Sequence, residues 1–374
     1  MMKAIAIIPG KGDVQLIDIE EPTIAEPSHV KLKVLEVGIC GTDREEAEGG
    51  RADAPPHEDY LVIGHEMFGQ VAEVGEAVKS VQPGDYGVFI VRRGCGKCYP
   101  CLHQRSDMCL TGEYTERGIK EHHGFQTEYV VDYEEYLVKV PDHLVHLGVL
   151  TEPMSISAKA IDEAQNLQTT RLPGLHARNW LNDKKVLVAG LGAIGLLAAF
   201  ALELQGAKLY GLDVVDESST RPQLLKEMGG EYIDGRKTDA LSIDEQYGHM
   251  DLIFEATGIA ELEFQLIDAL GVNGIYVLTG IPAGKRPVCI LGASLMRQMV
   301  LKNQILLGSV NASLAHYAMA IEYLDQAHAK WKDSIERVIT TIYPYTEFKE
   351  ALSHHKHSEI KTVLSWNGRD RAVQ

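Results

Sequence analysis

Hydrophobic and polar positions change their rhythm part-way along the chain. Over the first 150 residues, short apolar runs recur at Val14–Asp18, Val30–Val37, Tyr60–Ile63 and Gly87–Val91, divided by turn signals such as Gly10-Lys11-Gly12 and Pro83-Gly84-Asp85. Short runs bounded by glycine and proline predict a mainly β domain. A helical stretch follows near Glu152–Asn166, and the polar segment Gln168–Asp183, which contains Pro173-Gly174, reads as a loop between domains. From Lys184 onward strand-like and helix-like patterns alternate: KKVLVAG, AIGLLAAFALELQG, AKLYGLD, SSTRPQLLKEMGG, EYID. Such alternation predicts a parallel sheet with helices on both faces. Further strands at Leu252–Phe254, Ile275–Leu278 and Ile305–Leu307 bring the sheet to six. The expected class is α/β, with a mainly β domain over 1–165 and 312–374 and a doubly wound, six-stranded dinucleotide-binding domain over 166–311.

Composition narrows the partners. With 374 residues, 45% of them hydrophobic, the chain is long enough for roughly two domains. Its 53 Asp and Glu against 36 Lys and Arg give a formal charge of −17, spread without a basic stripe, which argues against a nucleic-acid partner. No run approaches the roughly 20 apolar residues of a membrane span and the start lacks the long apolar core of a secretory signal, so a cytoplasmic protein is expected. Four of the six cysteines fall between Cys95 and Cys109, which in a reducing compartment points to metal thiolates rather than disulfides.

Gly190-Leu191-Gly192-Ala193-Ile194-Gly195 follows an apolar strand and opens an apolar helix. In such a turn the first glycine allows the tight bend, the second the approach of a pyrophosphate and the third close helix packing, while the helix N-terminus favours the negative charge. The motif alone is weak, since a plain glycine turn looks the same. Asp213, ending the second strand 23 residues after Gly190, supplies the confirming context. A carboxylate there accepts from both ribose hydroxyls and repels a 2′-phosphate, so NAD is expected in preference to NADP.

Cys95, Cys98, Cys101 and Cys109 form C-x2-C-x2-C-x7-C on a glycine- and proline-containing loop. Four thiolates close a tetrahedral shell around zinc and leave no position for chemistry. An iron–sulfur cluster is the competing reading. Cys289 stands outside the pattern and reads as an ordinary buried residue. Two further segments, Gly38-Ile39-Cys40-Gly41-Thr42-Asp43 and Gly64-His65-Glu66, each end a strand-like run with glycine. Cysteine, histidine and carboxylate suit a zinc site with an open fourth position. Singly, a buried Cys40 and a satisfied core His65 would explain them; beside a dinucleotide turn and a four-cysteine loop, the metal reading gains.

At these residues the sequence resembles the zinc-containing medium-chain alcohol dehydrogenase superfamily along essentially its whole length, and within it the archaeal-type glucose 1-dehydrogenases. The carrying segments are GICGTDRE (38–45), GHE (64–66), RRGCGKCYPC (92–101), TGEYTERGI (111–119), TEPMSISAKA (151–160), GSVNA (308–312) and HSEIKTVLSW (357–366). The resemblance implies a GroES-like catalytic domain joined to a Rossmann domain. It makes Cys40, His65 and Glu66 ligands of a catalytic zinc, with Glu152 as a fourth group alternating with water, and Thr42 the hydroxyl that relays the substrate proton. It places Thr42, Glu116, Glu152 and Asn311 against a sugar, and Leu191–Ile194, Asp213, Thr279, Gly280, Ile281, Ser309, Val310, Asn311 and Lys361 against the nicotinamide cofactor.

Four positions depart from one branch of that family: Val91 stands in place of an asparagine and Ile156 in place of an aspartate, and Val214-Val215 replaces the Arg-Arg that clamps a 2′-phosphate. The implied reaction is oxidation of an aldose such as glucose or galactose at C1 to the aldonolactone, by a homo-oligomer, dimer or tetramer, using one catalytic and one structural zinc. A polyol or secondary-alcohol dehydrogenase with the same zinc and NAD is the alternative, and a redox-inactive NAD-binding protein the rival of another class. Retention of Thr42 beside the metal donors weighs against that last reading.

Overall fold

The computed structural model describes residues 1–175, 180–282, 287–353 and 359–368. His357 and Ser358 of the carrying segment 357–366, and part of the expected loop 168–183, lie outside the described residues. The chain divides into two compact units, one formed by Met1–Ser155, Asn311–Asp325 and Glu336–Gln374, the other by Ile156–Val310 and Gln326–Ile335.

The first unit opens with β1 (Met2–Ile7), β2 (Val14–Ile19) and the long β3 (His29–Ile39), followed by helix α1 (Gly41–Ala47). Then come β4 (Leu61–Val62), β5 (Glu66–Val74), β6 (Tyr86–Phe89), β7 (Arg92–Arg93), the short helix α2 (Tyr99–Leu102), β8 (Thr115–Arg117), β9 (Glu121–His122), β10 (Tyr129–Tyr133) and β11 (Leu137–Val140). Antiparallel pairing runs β2-β1-β4 in one small sheet, while β3 pairs with both β5 and β10 in the main one. Leu32, Val34, Phe68, Val88 and Phe89 of these strands are at most 1% exposed and belong to its core. The strand-like runs expected from periodicity are present as β2, β3, β4 and β6, and seven more strands, β1, β5 and β7 to β11, join them.

Helix α3 (Thr151–Arg171) runs farther than its apolar pattern suggests. Gln168–Arg171, expected in the loop, is helical: the hydroxyls of Thr169 and Thr170 donate back to the carbonyls of Gln165 and Asn166 at 2.9 and 2.8 Å, and the Gln168 amide donates to Asn273 O at 2.8 Å. Polar side chains that satisfy themselves on the helix leave a composition indistinguishable from a loop.

In the second unit β12 (Lys185–Ala189), α4 (Ala193–Leu204), β13 (Lys208–Asp213), α5 (Thr220–Glu227), β14 (Glu231–Asp234), α6 (Ile243–Tyr247), β15 (Met250–Glu255), α7 (Ala260–Gln265), β16 (Leu270–Leu278), α8 (Gly292–Lys302) and β17 (Ile305–Gly308) build the expected six-stranded parallel sheet. Its order is β14-β13-β12-β15-β16-β17, so the chain changes direction of growth between β12 and β15. Val186, Leu187, Val188 and Ala189 are all fully buried, as a parallel strand covered on both faces requires. The chain then returns to the first unit, where β18 (Ile339–Pro344) lies parallel to β19 (Lys361–Ser365) and β19 pairs antiparallel with β3. Among the described residues no helix is long and apolar enough to cross a membrane.

Candidate active site

Pairing of β3 with β5 brings the candidate metal donors together. The register sets Gly38 opposite Glu66, so Cys40, just past the end of β3, meets His65, just before the start of β5. Glycine at 38 leaves room for the carboxylate: a Cβ there would meet Glu66 Oε2 and force it to shift. The carboxylate is folded over the backbone of the neighbouring strand. Cys40 is also the N-cap of α1, its sulfur accepting from Thr42 N at 3.2 Å while Asp43 Oδ2 accepts from Cys40 N at 2.8 Å. This reciprocal cap fixes the cysteine's rotamer before any metal is considered.

The three donor atoms of Cys40, His65 and Glu66 lie within 4.8 Å of one another, and Cys40 Sγ is 3.1 Å from His65 Nε2. His65 and Glu66 are 5% and 1% exposed. Asp43 Oδ1 stands 3.5 Å from His65 Nδ1, an ion-pair rather than a hydrogen-bond separation, on the side of the ring away from the sulfur. Burial disfavours a charged His65 ring, yet Cys40 and Asp43 outweigh it and hold its pKa well above the usual histidine range. Surroundings that bind a proton so firmly also favour a cation. Glu152, in the first turn of α3, is 8% exposed, and burial followed by the Glu66 charge pushes its carboxyl up to about 8. One sulfur, one nitrogen and one or two carboxylate oxygens in a nearly dry pocket fit a zinc site with a position to spare.

Lys361 belongs to this cluster in the structure. It lies on β19 in the first unit, 2% exposed, its Nζ 2.7 and 2.6 Å from the two oxygens of Glu66 and 3.3 Å from Ile39 O. Burial lowers its pKa, but Glu66 and Cys40 more than restore it.

The four cysteines form a second cluster with donor atoms within 4.8 Å. Cys95 and Cys101 sulfurs are 3.9 Å apart and those of Cys98 and Cys109 4.0 Å apart. A tetrahedron with Zn–S near 2.3 Å has edges of about 3.8 Å, whereas a disulfide needs about 2.05 Å, so these spacings fit one thiolate-bound ion. Gly94 is required beside them, since a Cβ there would lie 2.5 Å from Cys101 Sγ. Cys289 differs from expectation: it is exposed, in a stretch outside regular structure before α8, where no core covers it.

Glu116 and Asn311 come together although they are far apart in sequence. Asn311 Nδ2 donates to Glu116 Oε1 at 2.6 Å, and its own Oδ1 accepts from Ala312 N at 2.8 Å. Asn311 sits at φ +62, a left-handed conformation asparagine tolerates.

In the second unit the expected cofactor residues collect at the carboxyl edge of the parallel sheet. Gly190 follows β12 with φ +87, and a Cβ on Gly195 would lie 1.8 Å from Gly190 O, so helix and turn pack backbone to backbone. Nothing within 4 Å would meet a Cβ on Gly192, the N-cap of α4, which leaves that side clear for a phosphate. Asp213 ends β13, its Oδ2 accepting from Leu191 N at 2.9 Å and its Oδ1 from Val214 N at 2.7 Å. Arg221 Nη1 is 3.3 Å from Asp213 Oδ2. Thr279, whose hydroxyl donates to Glu255 O at 2.6 Å, follows β16, and Ser309, whose N donates to Leu278 O at 2.9 Å, follows β17. Gly280 is next to Thr279, and Ile281 and Val310 are exposed at 59% and 55%. Ligands of open parallel sheets bind at this edge, where the strand order reverses.

A family model described as Glucose dehydrogenase C-terminus matches residues 145–366, and one described as Alcohol dehydrogenase GroES-like domain matches residues 26–142. A glucose 1-dehydrogenase of Methanocella arvoryzae is 35% identical over 365 residues, covering 97% of this chain and 99% of its own, and glucose 1-dehydrogenase 1 of Caldivirga maquilingensis is 37% identical over 369 residues, covering 98% and 99%. The chain belongs to the glucose dehydrogenase family. Its fold matches that of Haloferax mediterranei glucose dehydrogenase, solved in complex with NADP, zinc and gluconolactone, with a TM-score of 0.88 at 32% identity over 98% of this chain and 100% of that one. Membership makes the chain an oxidoreductase of the medium-chain class, with the GroES-like and Rossmann architecture that its sequence resembled.

As a glucose dehydrogenase relative, the chain also carries site residues that motif reading passed over. Asp43 was visible as part of GTDRE, but its role beside His65 follows from the capping spacing of three residues, a signal available in the sequence. Lys361 was named there, but its pairing with Glu66, 295 positions away, was not visible: it depends on β19 pairing with β3.

Proposed function

We propose that this chain oxidises an aldose at C1 to the aldonolactone, with a zinc ion held by Cys40, His65 and Glu66, Glu152 as the alternating fourth group, and NAD as the preferred hydride acceptor. The observation that carries the reading is the set of three unlike donors, half-buried Cys40 and buried His65 and Glu66, one short of a tetrahedral shell, in a chain related over 97% of its length to a glucose 1-dehydrogenase. When bound, zinc would polarise the C1 hydroxyl and lower its pKa, and NAD would accept the hydride. The chain's own residues do the rest. Thr42, held one residue past Gly41 at the start of α1, receives the hydroxyl proton; Glu116 and Asn311 pair with ring hydroxyls; buried walls exclude water from the donors. Val91, 2% exposed, presents no polar group where a family branch has asparagine, which supports looser discrimination among sugar epimers.

The four-cysteine lobe would hold a second, structural zinc. Its sulfurs leave no coordination position open, and a multi-iron cluster needs more room than one ion does. Asp213 favours NAD over NADP, but its pairing with Arg221 moderates the repulsion of a 2′-phosphate, and the Haloferax relative was solved with NADP. All six cysteines are free thiols, in keeping with a cytoplasmic location. A homo-oligomer is supported by the outer edge of the second unit's sheet, where β17 is the last strand and Met296, Val300 and Leu301 of α8 are 54%, 75% and 73% exposed.

The deciding assay offers cyclic aldoses and linear polyols with NAD and with NADP while monitoring lactone or aldonate. Aldose oxidation with lactone release is expected. Polyols reacting faster than every aldose, with no lactone or aldonate, would transfer the chain to the secondary-alcohol reading, a chemistry the fold also carries: 2R,3R-butanediol dehydrogenase of Bacillus subtilis matches with a TM-score of 0.77 at 26% identity over 98% of this chain.

A further inference from the structure

We propose that Arg92 is the positioning residue of the polar-substrate subsite, holding the Glu116 carboxylate so that one oxygen is fixed by protein and the other is offered to a substrate hydroxyl. The inference rests on the proposed function, which makes Glu116 a substrate contact and the hydroxyl that of an aldose. Arg92 stands directly opposite Glu116 in the β7–β8 pair. Its Nε and Nη2 donate to Glu116 Oε1 at 3.0 and 2.9 Å, and Asn311 Nδ2 donates to the same oxygen at 2.6 Å. Oε1 thus takes three bonds and Oε2 takes none of them.

Arg92 is itself anchored on two more sides. Nη1 donates to the carbonyl of Asp107 at 2.7 Å, and the guanidinium lies over the Tyr114 ring at 4.0 Å. Asp107 sits two residues before Cys109, so the arginine ties the substrate carboxylate to the backbone of the cysteine lobe. The side chains of Arg92 and Glu116 are only 8% and 12% exposed. A carboxylate that buried needs a paired charge, and a planar fork can fix its rotation where a single ammonium cannot. Without the fork, Glu116 keeps one bond from Asn311, turns about that bond, and presents its free oxygen in many directions. Substrate binding then suffers more than chemistry, because the contact acts on a hydroxyl away from the reacting carbon.

The test is a double-mutant cycle between Arg92→Lys and Glu116→Gln, read on whichever compound the wild type oxidises best. Arg92→Lys should raise the KM for that compound about tenfold, the equivalent of about 1.4 kcal/mol, while kcat and the KM for NAD change less than about threefold. In the Glu116→Gln background the same lysine change should move KM less than about twofold. Tyr114→Leu, which removes the ring from under the guanidinium and leaves every donor in place, should give a smaller KM rise that also vanishes in the Glu116→Gln background. It keeps the proposal testable should the lysine variant not fold. An unchanged KM in these variants, or equal rises in both backgrounds, overturns it. Failure of the aldose reading is a separate outcome, since it shows in which compound the wild type prefers and not in the cycle.

Discussion

The two donor clusters of the first unit use overlapping chemistry in opposite settings. The cysteine lobe draws all four sulfurs from residues 95–109, on turns that the solvent reaches, and close neighbours condition its thiols: the Thr111 hydroxyl and nearby backbone N–H groups draw that of Cys95 down to about 6, while burial pushes that of Cys101 up to about 12. The Cys40–His65–Glu66 cluster instead takes its donors from the helix cap that follows β3 and from the start of β5, and is surrounded by further titratable groups: Asp43, Lys361, Glu152 and Glu46, whose carboxyl burial and Asp43 push up to about 9. A local, symmetric donor set closes around an ion and braces a loop. A dispersed, unlike set held by the sheet leaves one side open and sets the charge there. Stability and turnover should accordingly separate between the two.

The largest effect should come from His65→Ala. It removes one of three donors from the open site and is expected to lower kcat/KM by at least about a thousandfold, roughly 4 kcal/mol, while the melting temperature changes little and metal content falls from two per chain to one. Elemental analysis alongside kinetics checks this; turnover within tenfold of wild type would break the comparison at its main point. Cys98→Ser should do the reverse, losing the other metal and about 2–3 kcal/mol of stability, or several degrees in melting temperature, with kcat of the surviving folded enzyme near wild type. Iron in place of zinc, or a single metal in fully loaded wild type, removes the basis for treating the clusters as a pair.

What the sequence revealed follows the same division. The lobe was readable because its spacing is local, and the six parallel strands because buried runs and glycine turns punctuate them regularly. Strand β5 was missed since Gly69 and Gln70 interrupt its pattern, although Glu66, a candidate metal donor, begins it. The convergence of Cys40 with His65 needs the register of β3 against β5, and Lys361 needs a strand that returns from the far end of the chain. Pairing across such separations leaves no periodic trace. Cys289 misled for a simpler reason: cysteine is usually buried, and here nothing packs over it.

The smallest effect tests whether the metal comparison is confined to the first unit. Asp213 lies in the second unit; its carboxylate accepts from Leu191 N and Val214 N and pairs with Arg221 at 3.3 Å. An unpaired carboxylate about 4 Å from a 2′-phosphate would be repelled by about 4 kcal/mol at an effective dielectric near 20. A guanidinium at nearly the same distance cancels much of that, and solvent screens more, so the preference for NAD should rest on about 1.4 kcal/mol or less, tenfold at most. Asp213→Asn keeps an oxygen to accept from Leu191 N and removes the charge, leaving Arg221 to meet the phosphate. The ratio of kcat/KM for NADP over NAD should therefore rise by up to about tenfold, with both metals and the melting temperature unchanged. Adding Val214→Arg, at a side chain 60% exposed, should raise the ratio further by supplying a second cation. A wild type already faster on NADP would show that Arg221, not Asp213, governs the ribose end, and the sign of the Asp213→Asn effect on NAD would then decide how much of the carboxylate's role is holding the turn.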